Sequence, residues 1–327
     1  MNFNFTHRPR RLRNNPILRS LISENSLRHS DFVLPVFISE QALEPEPIPS
    51  MPEIFRWPLG LLVPQIKKWR DLGISSFAIF PQIDDSKKDL TGSEFLNPSS
   101  LTFRAALEIK SVISDVALIS DIALDPYTIH GHDGILDSTG NIDNDPTVET
   151  LAKGAVLAAK SGYDLVAPSD MMDGRIKIIR NELENNNFPN IGIISYSAKY
   201  SSSYYGPFRE AIGSRGDTCL DKSTYQLSTA NFREAKRELL LDFQEGADIL
   251  MVKPAEPCMD IIHYARNNFD VPIAAYQVSG EYSRIWAAHL QGWLDLESCA
   301  MESILSIKRA GADIIFTYFT EKLIQQI

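Results

Sequence analysis

Apolar and polar residues follow two rhythms along this chain. Short runs rich in β-branched and aromatic side chains recur, and between them lie longer stretches with the apolar spacing of a helix buried on one side. The strands so predicted are FVLPVFI from Phe32, SSFAIFP from Ser75, VALISDIAL from Val116, DLVAPSDM from Asp164, IGIISYSAKY from Ile191, DILMVKP from Asp248, PIAAYQVS from Pro272 and DIIFTYF from Asp313. Four joints resemble one another. RDLGISSFAIF, AKSGYDLVAP, QEGADILMVKP and KRAGADIIFTYF each close a helix at Gly73, Gly162, Gly246 or Gly311 and enter a strand, which suits the left-handed residue that ends many helices.

Eight largely apolar strands alternating with helices predict an α/β fold, a closed (β/α)8 TIM barrel. An open doubly wound sheet is the alternative, but no G-x-G-x-x-G or G-x-x-x-x-G-K-S/T phosphate loop supports it. Residues 1–30 read as an N-terminal arm and 31–327 as one catalytic barrel, with an active-site lid at about 200–228. The stretch SEQALEPEPIPSMPEIFRWPL, after the first strand, reads only as a proline-rich loop.

Composition narrows the function classes. At 327 residues with 44% hydrophobic and 23% charged residues, the chain suits one large barrel, and its net charge of -10 argues against a general nucleic-acid binder. No apolar run approaches the ~20 residues of a membrane span, and no signal peptide opens the chain. Cys219, Cys258 and Cys299 have no paired spacing, so a disulfide framework and a thiolate zinc site are not expected, and a reducing cytoplasmic location fits. The arm FTHRPRRLRNNPILRSLIS carries Arg8, Arg10, Arg11, Arg13 and Arg19 without an acidic residue. A transit peptide or a nucleic-acid arm has this look; because Pro9 and Pro16 should interrupt any amphipathic helix, an arm packed on another subunit is preferred.

In such barrels the chemistry sits where strands end. Those positions are Asp121 and Asp125 for the third strand, Ser169 and Asp170 for the fourth, Lys199 for the fifth, Lys253 for the sixth, Ser279 for the seventh and Tyr318 for the eighth. A lone strand-end lysine would more often reach solvent or a carboxylate. Two on neighbouring strands point to chemistry. An ordinary lysine, with a pKa of about 10.4, is a poor nucleophile at neutral pH; desolvation and a second ammonium both ease loss of its proton, so each lysine is expected to activate the other toward an imine. The long segment after the fifth strand carries Arg209, Arg215, Lys222 and Gln226, donors suited to gripping carboxylates under a closing lid. A solvated surface loop, a single-imine aldolase or lyase, and a degenerate barrel kept as a scaffold are the competing readings.

The motifs RPRRLR, APSDMMDGRI, SYSAKYSSSYYGPFREA, YQL, LMVKPAEP, YQVSGEY and AGADIIFTYF, in this order and across nearly the whole chain, resemble those of the porphobilinogen synthase (5-aminolevulinate dehydratase) family. The resemblance implies a homo-oligomeric barrel, often an octamer, that condenses two 5-aminolevulinate molecules into porphobilinogen with loss of two waters in heme and tetrapyrrole biosynthesis. It implies that Lys253 holds the propionate-side substrate and Lys199 the acetate-side one as Schiff bases. Ser279 and Tyr318 match residues that grip the first carboxylate; Arg209, Lys222 and Gln226 match lid residues that bind the second. Lys222 stands where many members have arginine, losing the bidentate fork, and Arg215 could compensate.

The resemblance also bears on DIALDPYTIHGHDGIL, residues 121–136. Where zinc-dependent members carry three cysteines, this chain has Ala123, Asp125 and Asp133, so no catalytic zinc is expected. Carboxylates suit magnesium or a monovalent cation, but turn-forming aspartates are the commoner case. Asp121, Asp125 and Asp133 are candidates for orienting water or accepting protons; His130 and His132 could coordinate a metal or simply bond within the loop. Glu238, beside a predicted buried stripe of Phe232, Ala235, Leu239 and Phe243, aligns with a glutamate that holds an allosteric magnesium at a subunit interface. An exposed helical glutamate paired one turn away would explain it as well.

Overall fold

The computed structural model describes residues 5–214 and 221–327. Its eight barrel strands are β1 (Phe32–Ser39), β2 (Ser76–Gln82), β3 (Ala117–Ile122), β4 (Leu165–Pro168), β5 (Gly192–Lys199), β6 (Ile249–Lys253), β7 (Ile273–Tyr276) and β8 (Ile314–Phe316). Each pairs in parallel with the next, and β8 returns to β1 through Phe32 opposite Ile315 and Val33 opposite Phe316. That last pairing closes the sheet. The open-sheet alternative is thereby removed, and the near-continuous apolar runs are explained: β1 is buried along its whole length because the barrel interior lies on one face and helices cover the other. At the four repeated joints Gly73, Gly162, Gly246 and Gly311 have φ of 99°, 93°, 102° and 125°, a region that disfavours a Cβ.

Three local features differ from the sequence reading. The proline-rich segment is structured: Glu46–Pro47 pairs antiparallel with Phe55–Pro58, which adds to the end of β1 with Arg56 opposite Phe37. In the arm, prolines open short helices instead of interrupting one. Pro9 starts a 3-10 turn to Arg13, and Pro16 starts a helix to Leu21 whose Leu18 N–H is capped by the Asn15 side chain. A first helical residue needs no N–H partner, so proline costs nothing there. On this single chain the arm leaves Ile17 80% and Leu21 76% exposed.

The third difference lies in the helix Arg233–Glu245, which buries Ala235, Leu239 and Asp242 while Phe232 and Phe243 stay 40% and 39% exposed. Asp242 takes the inward position because it meets the buried Arg175 guanidinium in a fork of 2.8 and 3.0 Å and accepts the Ser195 hydroxyl. A buried arginine demands such a partner, and the helix is rotated to supply it. Phe232 and Phe243 then pack on the flank, against Tyr264 and Phe269. Among the described residues no helix is long and apolar enough to cross a membrane.

Candidate active site

The two strand-end lysines are direct register partners, Lys199 on β5 opposite Lys253 on β6. Both are buried, at 6% and 5% exposure. Their surroundings differ in kind. The Lys253 Nζ lies over four aromatic rings, 4.4 Å from the Tyr276 centroid, 5.0 Å from Tyr196, 5.1 Å from Phe208 and 5.3 Å from Tyr205. Ring faces attract a cation, but they replace less than the hydration lost. Burial first, and the Lys199 charge second, push the Lys253 amine down to about 7.

Lys199 is bound by oxygen. Its Nζ donates to Asp133 Oδ2 at 2.9 Å and to the Ser169 carbonyl. Burial pulls its pKa down, yet Asp133 and then Asp125 outweigh burial and hold it above the ordinary lysine value. The expected mutual activation is therefore one-sided: Lys199 depresses Lys253, while carboxylates whose partners were not visible in the sequence keep Lys199 charged.

Asp133 is the hub of this cluster. Besides Lys199 it receives Lys222 Nζ at 2.7 Å and Gln226 Nε2 at 3.4 Å. Although burial opposes its charge, the two ammonium groups hold its carboxyl well below the usual range. Asp125, 3.8 Å from Lys222, is raised by burial and by Asp133. Asp121 is pushed up to about 7 by burial and by Asp125, and among the described residues its Oδ1 has no hydrogen-bond partner. Neighbouring carboxyls driven apart in this way can divide acid and base roles at neutral pH.

The loop histidines hold the loop. His130 accepts the His132 N–H at Nδ1, 3.1 Å, and its Nε2 meets the Leu90 carbonyl at 3.1 Å. His132 Nδ1 lies 3.1 Å from the Tyr225 hydroxyl, which also accepts the Asp133 N–H at 3.3 Å. Burial, with Lys222 nearby, pushes His132 down to about 4, so the ring is neutral.

The segment read from the sequence as a lid is held near both ends. Tyr200 bridges Leu227, and Ser201 N–H donates to the Leu227 carbonyl at 2.8 Å. The short helix Gly206–Ala211 carries Arg209, which makes no ion pair among the described residues. Ser279 accepts the Phe208 N–H at 3.0 Å, and Tyr318 shares a 3.0 Å hydrogen bond with Tyr276. Both thus adjoin the ring box around Lys253. Arg215 lies outside the described residues. Arg56, missed in the sequence, donates to the Ala211 and Glu210 carbonyls at 2.7 Å each and pairs with Glu46 at 3.0 Å. Its only sequence signal was one arginine in an apolar stretch. Arg175 was missed too, although Asp170, 3.8 Å away and pushed up to about 6 by burial against the arginine's pull, was singled out.

Glu238 stands apart from the lysines. It lines a cavity of about 300 Å³ with Asn144, Asp173 and Glu234, whose wall also includes Tyr225 and Gln226. Burial raises its carboxyl, and although Arg175 pulls it down, Asp242, Asp173 and Glu234 add to the rise. Among the described residues no cluster of three or more His, Cys, Asp or Glu is arranged to hold a metal ion.

Comparison with known proteins identifies the family. The family model for delta-aminolevulinic acid dehydratase matches residues 6–326. The chloroplastic delta-aminolevulinic acid dehydratase of Hordeum vulgare is 48% identical over 317 residues, 96% of this chain and 73% of that protein. The Chlamydia pneumoniae delta-aminolevulinic acid dehydratase is 47% identical over 313 residues, 96% of this chain and 94% of its own length. The crystal structure of the Toxoplasma gondii ME49 enzyme, in complex with the reaction product porphobilinogen, superposes with a TM-score of 0.97 at 41% identity, covering 99% of this chain and 92% of the other. With the register-paired lysines set in a closed barrel, these matches place the chain in the delta-aminolevulinic acid dehydratase family.

Proposed function

We propose that the protein condenses two molecules of 5-aminolevulinate into porphobilinogen with release of two waters, a lyase reaction of tetrapyrrole biosynthesis carried by imines on Lys253 and Lys199. The observation that carries this reading is the pairing of Lys199 with Lys253 across adjacent strand ends. A single-imine lyase would form one substrate adduct and would not need the second lysine as an imine.

The chemistry follows from the two environments. Lys253, with its amine pushed down to about 7, has a lone pair available to attack the ketone carbon of one substrate; the carbinolamine then loses water to give the imine. Lys199 must first give up a proton. Its counter-charge is Asp133, which is shared with Lys222 and Gln226. A second substrate carboxylate, gripped by Arg209 and by Lys222 and Gln226, draws the latter two away from Asp133, which frees a carboxylate to take protons during the dehydrations. Asp121, pushed up to about 7, is suited to supplying a proton to a departing hydroxyl. Ser279 and Tyr318, beside the Lys253 box, hold the first substrate's carboxylate.

For the implied magnesium, the cavity around Glu238 has the right donor type: Asp173, Asn144, Glu234 and Glu238 supply hard oxygens, and a cation would relieve the crowding that raises the Glu238 carboxyl. Glu238 and Asp173 would hold it, with water completing its shell; bound there it supplies positive charge beside the lid and no chemistry on the substrate. The exposed apolar side of the arm, Ile17 and Leu21, supports packing on a neighbouring copy in a homo-oligomer, for which an octamer is our reading.

Borohydride trapping with 5-aminolevulinate followed by peptide mapping tests the proposal. Adducts on both Lys199 and Lys253, with porphobilinogen formed when borohydride is omitted, are expected. One adduct would return the reading to a single-imine lyase, and none would leave a binding scaffold.

A further inference from the structure

Glu281 is the one fully buried acidic side chain on the helix Ser279–Leu290, at 0% exposure, and no role in the reaction as described above uses it. A carboxylate at such a site is costly unless its oxygens are filled. Here they are filled by backbone. Oε2 accepts the Val278 N–H at 2.6 Å and the Ala255 N–H at 3.3 Å, and Oε1 accepts the Glu256 N–H at 2.6 Å. Val278 ends the loop after β7, whereas Ala255 and Glu256 are the second and third residues after Lys253. One side chain thus joins the loops that follow β6 and β7.

The same helical turn holds the lid. Ser279 accepts the Phe208 N–H at 3.0 Å and donates to the Tyr204 carbonyl at 3.3 Å. Gly280 lies so close to Tyr204 that a Cβ would fall 2.5 Å from its carbonyl oxygen. Tyr205 and Phe208, the two rings that the lid contributes to the box around the Lys253 Nζ, flank these contacts, and the Tyr205 hydroxyl donates to the Lys253 carbonyl at 3.4 Å. Glu256 is fastened a second time, its carboxylate meeting Arg284 of the same helix and the Ser303 hydroxyl.

We propose that Glu281 is a positioning residue for Lys253: its buried carboxylate ties the peptide after the lysine to the helical turn that docks the lid, and so sets the ring box around the Nζ. This rests on the reading of Lys253 as an imine-forming residue. Burial pushes the Glu281 carboxyl up to about 8 while the Val278 and Ala255 N–H groups pull it down. Three N–H donors converging on two oxygens oppose that rise, because they favour the anion, in which neither oxygen carries a hydrogen. A glutamine would set its NH2 against a backbone N–H. Aspartate keeps the charge but is one methylene too short to span both loops.

The test is the rate of imine formation at each lysine in Glu281→Gln and Glu281→Asp, measured with 5-aminolevulinate by timed borohydride quenching and peptide mapping, beside thermal unfolding. Expected is a loss of about tenfold or more in the Lys253 rate for Glu281→Gln, with a smaller loss at Lys199 and a cooperative unfolding transition retained. If that variant does not fold, Glu281→Asp carries the same comparison. A wild-type Lys253 rate in a folded variant would overturn the proposal, as would an equal loss at both lysines, the mark of a merely structural role. No Lys253 adduct in the unsubstituted protein would instead remove the imine assignment on which it rests, an outcome told apart by that control alone.

Discussion

Lys199 and Lys253 face each other across the β5–β6 pair, yet their neighbours drive them toward opposite protonation states. The aromatic box leaves Lys253 without the direct carboxylate contacts that Lys199 has, so burial and the like charge of Lys199 prevail over the pull of Asp121, Asp125 and Asp133. Trapping of substrate on Lys253 should therefore rise as pH increases through about 7. Replacing Lys199 by glutamine removes that charge, and the Lys253 transition should move upward. Timed borohydride trapping across pH 5.5–9, roughly centred on that value, measures both; a transition unmoved in K199Q would show that Lys199 does not tune its neighbour. The same shift affects stability. Between about 7 and the ordinary lysine value the unfolded chain binds the proton and the folded chain does not, so this group's contribution to stability rises with pH over that window.

Asp133 compensates two buried ammonium groups and one amide. Asp133→Asn keeps the shape and removes the charge, leaving Lys222 with the more distant Asp125 and Lys199 with Asp125 and Asp121 as counter-charges. Breaking a buried pair costs about 3–5 kcal/mol, which denaturant unfolding would register. Loss of a group that moves protons lowers turnover by roughly 10² or more. A variant as stable and as active as the original would show that Asp133 is a passive loop residue.

What the sequence made legible was periodic or stereochemical. The eight apolar runs became the eight strands, and the glycines that close four helices sit at positive φ. Polar residues at strand ends marked Lys199, Lys253, Asp121 and Ser279, because few other reasons put such groups at the end of an apolar run. Partnership was not legible. Whether Asp133 meets Lys199, or Asp242 meets Arg175, depends on strands and helices tens of residues apart, and a periodic reading of the Asp242 helix chose Phe243 instead. Arg56 was hidden for a related reason: two of its partners are backbone carbonyls, which carry no residue identity.

Arg56 bears on substrate binding through those carbonyls. Arg56 donates to the Glu210 and Ala211 carbonyls at the C-terminal end of the helix Gly206–Ala211. Arg56→Met should loosen the helix that carries Arg209. A rise of about tenfold in KM for 5-aminolevulinate, roughly 1.4 kcal/mol, with a smaller change in kcat, is the expected result in steady-state kinetics. An unchanged KM would separate the lid helix from carboxylate binding.

The cavity around Glu238 shares Tyr225 and Gln226 with the lid, and Tyr225 in turn contacts His132 and the Asp133 backbone. A cation held by Glu238 and Asp173 would add positive charge beside the segment that presents Lys222 and Gln226 and so bias its position. Magnesium added to chelated protein should then accelerate porphobilinogen formation, while zinc should not substitute, since the donors are oxygen. Glu238→Gln should lose most of the stimulation and keep the chelated rate, because Glu238 touches neither lysine. Imine trapping in the absence of metal provides the second readout: equal adducts in both forms would locate the effect in the lid. Stimulation that survives in E238Q would place the cation elsewhere, with Asp125 and Asp133 the next carboxylates to replace.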